Sequence, residues 1–451
     1  MALTDGEQID AAAFSERLDR LGAGVVHIGL MDPDGTFRHK RVAREKAEKL
    51  LRDGYQFCDV LYDWDISEQT YAGGAFIDRP ARLFPDTLRA WPFAPGEAIC
   101  LADYAAPFGE RSARNQLIGL IGKARAMGFS VHAAFEYEFM LFDETPESIR
   151  AKNYRDIRHF AAGNRTYSLQ TMARHNELFA GLASVMDTLG IGIDALHTEL
   201  GAGTFEAPLT HAEGVKAADD AALFKNMARA YFLRHDLVAG FMSKFDAQFS
   251  GQSGHLHLSL RRLSDATPAF HDPQAPDGLS QTARHFAGGL VRLMPEWLAL
   301  CAQTVNAYKR LVPGAWAPTY ANWGIQNRTV AVRAMADTPA ATRLEFRVPA
   351  ADSNPYATLA MCLGAGLHGL EHHIDPPAPR DDDCYVTAPS EGAAFPRDLS
   401  EAADRLDASE TARSTFGNVF IDTFVHARRM EAAAYARIVH QWELARYLEV
   451  S

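Results

Sequence analysis

The sequence predicts an α+β protein in two unequal parts, a small mixed unit up to residue 108 and a larger part of strands alternating with long helices. Three observations carry that expectation. Residues 23–33, "AGVVHIGLMDP", and the following "DGTFRHKRVA" read as two strands around an Asp-Gly turn. "REKAEKLLRDG" has helical spacing and a glycine stop. Farther on, helical runs such as "HNELFAGLASVMDTLG" and "HAEGVKAADDAALFKNMARAYFLRHD" are separated by strands dotted with polar residues.

Taken in order, the first strands and helix lead into a loop-rich, proline-containing stretch over 62–98, then a short strand, "AICLADYA". "AAPFGERSARNQLIG" reads as a connection into a long helix, "ARNQLIGLIGKARAMG", which puts a boundary near 108–112 and divides the chain into 1–108 and 109–451. "DPPAPRDDDCYVTAPSEGAAFPRD" is a proline-rich, acidic surface loop, and the remainder to "WELARYLEV" is mainly amphipathic helix. There is no internal repeat and no low-complexity segment.

Composition narrows the function classes. The 451 residues are 47% hydrophobic and 23% charged, ordinary for a globular protein, and the net charge of −12 comes without a Lys/Arg run, which excludes a nucleic-acid footprint. The acidic start, "MALTDGEQIDAAAFSERL", lacks the apolar segment of a secretory signal, and the longest apolar run, "NPYATLAMCLGAGLHGL", is too interrupted to span a membrane. Five scattered cysteines without CxxC spacing point to reduced thiols and a cytoplasmic setting.

Strand periodicity locates the chemistry. Residues i, i+2 and i+4 of a strand share a face. "FEYEF" therefore puts Glu136 and Glu138 on one side and Phe135, Tyr137 and Phe139 on the other. "GHLHLSL" aligns His255, His257 and Ser259; "TRLEFRV" aligns Arg343, Glu345 and Arg347; "HTELGAGTFEAPL" offers Glu199 and Glu206 around a glycine turn. Any one of these could be a solvated edge strand. Four together, set among long helices, point to one polar cavity, because buried carboxylates cost several kcal/mol unless cations pair with them. Glutamates with one imidazole suit Mg²⁺ or Mn²⁺, and the arginines are left for anionic substrate groups. Lys309, Arg310, Arg328 and Arg333 lie in a Gly/Pro-broken loop, "NAYKRLVPGAWAPTYANWGIQNRTVAVR", which beside such a cluster points to phosphoryl transfer from a nucleotide. Neither a P-loop nor a GxGxxG helix start is present.

Together with "FEYEFMLFD", "GQSGHLHLSL" and "TRLEFRVPAADSNPYATL", these motifs, in this order over 135–358, resemble the glutamine synthetase superfamily. The resemblance implies a β-grasp-like N-terminal domain and a catalytic domain built on a curved antiparallel sheet flanked by helices. It implies ATP and two or three Mg²⁺ or Mn²⁺ ions. Glu138, Glu199 and Glu206 would hold the ion beside the glutamate γ-carboxylate, and Glu136, His255 and Glu345 the ion on the ATP phosphates. Arg310 and Arg347, with the Gly251 N–H, would bind substrate carboxylates. Arg328, Arg333 and Arg343 would contact phosphates, with His257 and Ser259 beside the nucleotide. Asp65, Arg328 and Glu206 are the implied catalytic residues; Asp65, for which Asp63 competes, would enter a neighbouring subunit's site and deprotonate the amine. The implied assembly is a homo-oligomer of stacked hexameric rings, with no nucleic-acid or membrane partner.

Three departures from the family pattern fall at the amine end. Ammonia-using members carry a glutamate two residues beyond the glycine of "KRLVPG", where this chain has Trp316. "GQSGH" lacks a methionine before the histidine, and "WDIS" replaces Asp-Gly-Ser-Ser. An indole accepts no proton but packs on cations and apolar groups. The expectation is a γ-glutamylamide synthetase, with Trp316, and Trp323 or Tyr320, walling a pocket for an organic amine. The alternatives are a glutamine synthetase using ammonia, a catalytically silent assembly or regulatory relative, and, remotely, a guanidino kinase.

Overall fold

The computed structural model describes residues 11–71, 73–387 and 393–450; the acidic start at 1–10 and part of the 375–398 loop lie outside the described residues. The N-terminal sheet is built from β1 (Val25–Met31), β2 (Phe37–Ala43), β3 (Tyr55–Cys58), β4 (Asp78–Leu83), β5 (Arg89–Ala90) and β6 (Glu97–Tyr104). Its order is β2-β1-β6-β4-β3, with β5 also on β6; β1 and β6 run parallel and the other pairs antiparallel. Helices α1 (Ala11–Leu21) and α2 (Arg44–Asp53) cover it, burying Phe14, Leu18, Leu50 and Leu51 against Val26, Ile28 and Ala98. The Asp-Gly turn is as read: Asp32 Oδ1 accepts from the N–H groups of Asp34 and Thr36, and Gly35 takes φ +78°, a left-handed value that glycine adopts without strain. The stretch over 62–98 is less loop-like than its composition implies. It supplies β4 inside the sheet, with Pro80 in register opposite Gln56.

The larger sheet is formed by β7 (Phe129–Phe142), β8 (His197–Thr198), β9 (Thr204–Pro208), β10 (Ala212–Glu213), β11 (Val238–Gly240), β12 (Gly254–Arg262), β13 (Trp323–Ile325), β14 (Val332–Met335) and β15 (Arg343–Phe346). Its order is β13-β14-β15-β12-β7-β9-β8, with β10 and β11 on β7. Every pair is antiparallel except β13 with β14, which run parallel.

Around it lie α3 (Ala113–Ala126), α4 (Pro146–Ala151), α5 (Leu169–Arg174), α6 (Asn176–Thr188), α7 (Lys216–Leu233), α8 (Gln281–Trp297), α9 (Pro355–Glu371), α10 (Leu399–Ala408), α11 (Glu410–Phe416), α12 (Asn418–Ala436) and α13 (Gln441–Tyr447). α3 and α7 pack on β7, and α9 packs against α3, α7 and α8. The apolar run "NPYATLAMCLGAGLHGL" is α9, buried on nearly every side, so its composition reflects a central core position. Among the described residues no helix is long and apolar enough to cross a membrane. β7 alternates as the sequence requires. Val131, Ala133, Phe135, Tyr137 and Phe139 are buried in the core, while Glu136 and Glu138 are half-buried on the opposite face.

A joint ties the first hairpin to the rest. Asn354 Nδ2 donates to the carbonyls of Asp32 and Pro33 (3.3 and 3.1 Å), and Arg428 bonds Asp34 at 2.7 Å and the Gln303 carbonyl at 2.8 Å.

At the far edge of the larger sheet, the proline-rich segment crosses β13. The N–H of Arg380 bonds the Trp323 carbonyl (2.8 Å), and Trp323 Nε1 donates to the Pro377 carbonyl (2.6 Å).

Candidate active site

Strand register sets the polar residues into one row. Glu206 on β9 lies opposite Glu138 on β7; Glu136 on β7 opposite His255 on β12; His257 on β12 opposite Glu345 on β15; Glu345 opposite Arg333 on β14. Directly opposed residues of an antiparallel pair project to the same side, so five adjacent strands present this row to one cleft.

Two groups of donors result. In the first, oxygens of Glu138, Glu199 and Glu206 lie within 4.8 Å of one another. Glu138 Oε2 accepts from the Ser253 N–H at 2.6 Å, whereas Glu199 Oε2 is buried without a hydrogen-bond partner. Burial, and then the charges of Glu138, Glu136 and Glu199, push Glu206 up to about 9. Burial also raises Glu138, against the pull of Arg310.

The second group holds Glu136, Glu345 and two imidazoles. His255 Nδ1 is 3.6 Å from Glu136 and 3.5 Å from Glu345, and His257 Nε2 is 2.8 Å from Glu136. His257 thus comes as near the carboxylates as the expected ligand His255, and it is His257 whose donor atom clusters within 4.8 Å of Glu136 and Glu345. Protonation separates the two rings. Arg343 Nε donates to His257 Nδ1 (3.1 Å), so the neutral His257 ring carries its proton on Nε2, the atom facing Glu136, and offers no lone pair there. His255, which burial and then Arg347 bring down to about 4, is neutral at pH 7 and keeps the lone pair a metal ligand needs. Burial would raise Glu345, but Arg347, His255 and His257 hold it below its usual value.

The arginines divide into committed and available groups. Arg347 Nη1 bonds Glu345, and Arg333 bonds Glu345 (3.1 Å) and Gln326 (2.9 Å). Arg310 is buried and donates to the carbonyls of Val348 (2.9 Å) and Arg347 (3.1 Å), so part of its fork is engaged by the main chain. Gly251 lies against it. A Cβ there would come within 2.5 Å of Arg310 Cγ, and the Gly251 N–H meets no acceptor among the described residues. Arg328 is exposed, and no ion pair to its side chain occurs among the described residues; its charge is felt at Tyr167, beside Glu199 and Glu206. His257, Ser259 and Arg343 line a cavity of about 330 Å³ together with Glu136.

Trp316 is 65% exposed with φ +55°, and its ring meets that of Tyr385 edge to face at 6.0 Å. Trp323 and Tyr320, expected to wall the same pocket, do not. Trp323 is buried in β13, and Tyr320 is buried against Val330 and Cys384. Asp65 stands apart from the row in this chain; its Oδ1 accepts from the N–H groups of Ser67 (2.8 Å) and Gln69 (2.9 Å), and Asp63 faces Arg111 at 3.7 Å. Two residues at the site escaped sequence reading. Tyr167 packs edge-on against His197, itself 3.6 Å from Glu206. The Tyr385 hydroxyl donates to the Arg328 carbonyl (3.3 Å) beside Arg310 and Arg347. Both lie in irregular segments whose composition carries no periodic signal.

An all-oxygen set with an orphaned buried carboxylate oxygen, and a carboxyl driven to about 9 by burial and by its acidic neighbours, is incomplete without positive charge. These residues fit a hard divalent cation, and the mixed oxygen and imidazole set beside them fits a second. The arrangement can neutralise a polyanion between its cations and arginines.

Comparison with known proteins agrees with this geometry. Residues 110–447 match the glutamine synthetase catalytic domain. The chain is 33% identical over 444 residues to a glutamate–isopropylamine ligase of Pseudomonas, covering 96% of each chain, and 34% identical over 410 residues to a glutamine synthetase of Thermus thermophilus, covering 90% of this chain and 85% of that one. The solved structure of a GmaS–ADP complex superposes with a TM-score of 0.85 at 28% identity, covering 98% of this chain and all of that one. With a family match over residues 110–447, relatives at about a third identity and one fold from end to end, the chain belongs to the glutamine synthetase family.

Proposed function

We propose that the protein is an ATP-dependent carbon–nitrogen ligase that activates the γ-carboxylate of L-glutamate as γ-glutamyl phosphate and couples it to an organic amine, giving a γ-glutamylamide. Identity does not separate the two named activities among the relatives, at 33% and 34%, so the site must. The observation that carries the reading is Trp316, an exposed indole where ammonia-using members place a carboxylate. It offers a face for an alkyl group and no acceptor for ammonium.

The residues act as follows. Glu138, Glu199 and Glu206 would hold a cation that serves the glutamate γ-carboxylate, and Glu136, His255 and Glu345 would hold one that serves the ATP phosphates. When bound, Mg²⁺ or Mn²⁺ supplies charge neutralisation for phosphoryl transfer. Arg310, Arg347 and the Gly251 N–H orient the substrate carboxylates. Arg333 and Arg343 contact phosphates, and Arg328, without an ion pair among the described residues, meets the transferring group. His257 and Ser259 flank the nucleotide. An alkylammonium, like a lysine side chain, keeps its proton at pH 7, so a base must remove it before attack. Asp65 from a neighbouring subunit of a ring-shaped homo-oligomer takes that role, and Glu206 faces the same place. We read 1–108 as the N-terminal unit and 109–451 as the catalytic domain, and the five unpaired cysteines support a cytoplasmic setting.

Phosphate release and product mass, with ATP, L-glutamate and Mg²⁺ or Mn²⁺ across ammonia and organic amines, test the proposal. Preference for an organic amine is expected. Glutamine as the main product would instead favour the ammonia-using reading. Silence with every amine would favour a non-catalytic relative, which the presence of all six expected ligands argues against.

A further inference from the structure

Four large apolar side chains that the surface leaves exposed, Leu200 (47%), Met242 (46%), Val312 (40%) and Trp316 (65%), line a single cavity of about 890 Å³. Its wall includes Leu200, Ser250 and Lys309, the chain neighbours of Glu199, Gly251 and Arg310. Exposed apolar residues gathered at one concave place mark a binding site more often than chance scatter does, and this volume admits far more than a methyl group.

The polar part of the wall narrows the ligand further. Lys244 and Lys309 stand in it, bonded to neutral acceptors: Lys244 Nζ to the Phe249 carbonyl and Lys309 Nζ to the Tyr435 hydroxyl at 3.0 Å. Asp246 offsets one of the two charges, which leaves the wall net positive. A second ammonium group on the ligand would be repelled there, whereas an apolar tail would meet the four exposed side chains.

We propose that this cavity takes the carbon substituent of the amine, and that the substrate is a primary monoamine with an apolar group of three or more carbons. The proposal rests on the ligase reading above. The amine nitrogen sits at the carboxylate cluster, and the tail extends past Leu200 between Val312 and Trp316 toward Met242. Each methylene moved from water into such a wall is worth up to about fourfold in kcat/KM.

The test is amide formation, with products identified by mass, over ammonia, methylamine, propylamine, butylamine, benzylamine and 1,4-diaminobutane. It is run for the wild type, Met242→Asp and Val312→Asp, with light scattering on each. The expected result is a rise of two- to fourfold per methylene to butylamine, and at least tenfold discrimination against the diamine. Both aspartate variants should flatten the series and admit the diamine. Amide products with a flat series, or with methylamine preferred, would overturn the cavity assignment while leaving the ligase reading standing. Glutamine as the sole product would overturn both. Variants that change the oligomeric state but keep the wild-type chain-length series would make the cavity a subunit contact and overturn the assignment.

Discussion

Glu138 and Glu206 lie directly opposite each other across the β7–β9 pair, two carboxylates at positions where like charges repel. Their register places a strong demand for positive charge between two central strands.

That demand predicts proton release on cation binding. A carboxyl raised to about 9 carries its proton at pH 7.5 and must lose it to become a ligand. Binding of Mg²⁺ or Mn²⁺ at pH 7.5 should therefore release about one proton per molecule at this cluster. Affinity should rise about tenfold per pH unit until about pH 9. Calorimetric titration in two buffers of different ionisation enthalpy measures it. Glu206→Gln should bind more weakly and release none, and a wild type releasing no proton would show Glu206 already ionised.

The two imidazoles should part company on substitution. Because His257 Nδ1 is engaged by Arg343, His255→Ala should lose one bound Mn²⁺, with affinity at that site down by more than the roughly 10–100-fold that loss of an outer-shell partner costs. His257→Asn should keep the metal stoichiometry and raise the KM for ATP. Electron paramagnetic resonance counting of free Mn²⁺ distinguishes them, and loss of the ion in His257→Asn but not in His255→Ala would reverse the assignment.

Trp316 offers a direct switch. Trp316→Glu restores a carboxylate to the loop and removes the indole face. It should lower kcat/KM for the organic amine by about tenfold and raise that for ammonia by a similar factor, the scale of one cation–π or charge contact. Equal loss for both amines would mean that the tryptophan only shapes the loop.

Away from the site, Asp103 makes the stability pH-dependent. It is buried, and desolvation raises it to about 6 from 3.8, against the Ser112 hydroxyl and Arg114. Below both values the carboxyl is protonated in folded and unfolded chains, and above both it is ionised in both. In between, the folded chain holds more protons, so this contribution falls as pH rises from about 4 to about 6. Relative to Asp103→Asn, which does not titrate, the wild type should gain about 1.4 kcal/mol on going from pH 7.5 to 5. Denaturant unfolding at the two pH values checks it; a constant difference would mean Asp103 titrates alike in both states.

What the sequence made legible follows from period. Glu136, Glu138, His255, His257 and Glu345 were found because strands sort side chains every second residue and the opposite faces are uniformly apolar. Which carboxylate faces which imidazole was not legible, since that depends on register between strands far apart in the chain, as between Glu136 and His255 or between His257 and Glu345. β4 was obscured by Pro80, a residue usually read as interrupting a strand. Trp323 and Tyr320 were misplaced because their nearness in sequence to Trp316 says nothing about direction. β13 turns one inward, and the Val330–Cys384 cluster buries the other. Tyr167 and Tyr385 reach the site from irregular segments, where only the fold brings them near.

The crossing of β13 by the proline-rich segment has a consequence for self-association. A terminal strand with free N–H and C=O groups is a template on which a foreign strand can dock and begin aggregation. Here Arg380 occupies the Trp323 carbonyl and the Trp323 indole is anchored on Pro377. Proline, lacking an N–H, cannot itself extend a ladder. A stretch whose composition marks it as a passive connector thus works as a guard rail, closing the exposed margin of the catalytic sheet to intruding chains.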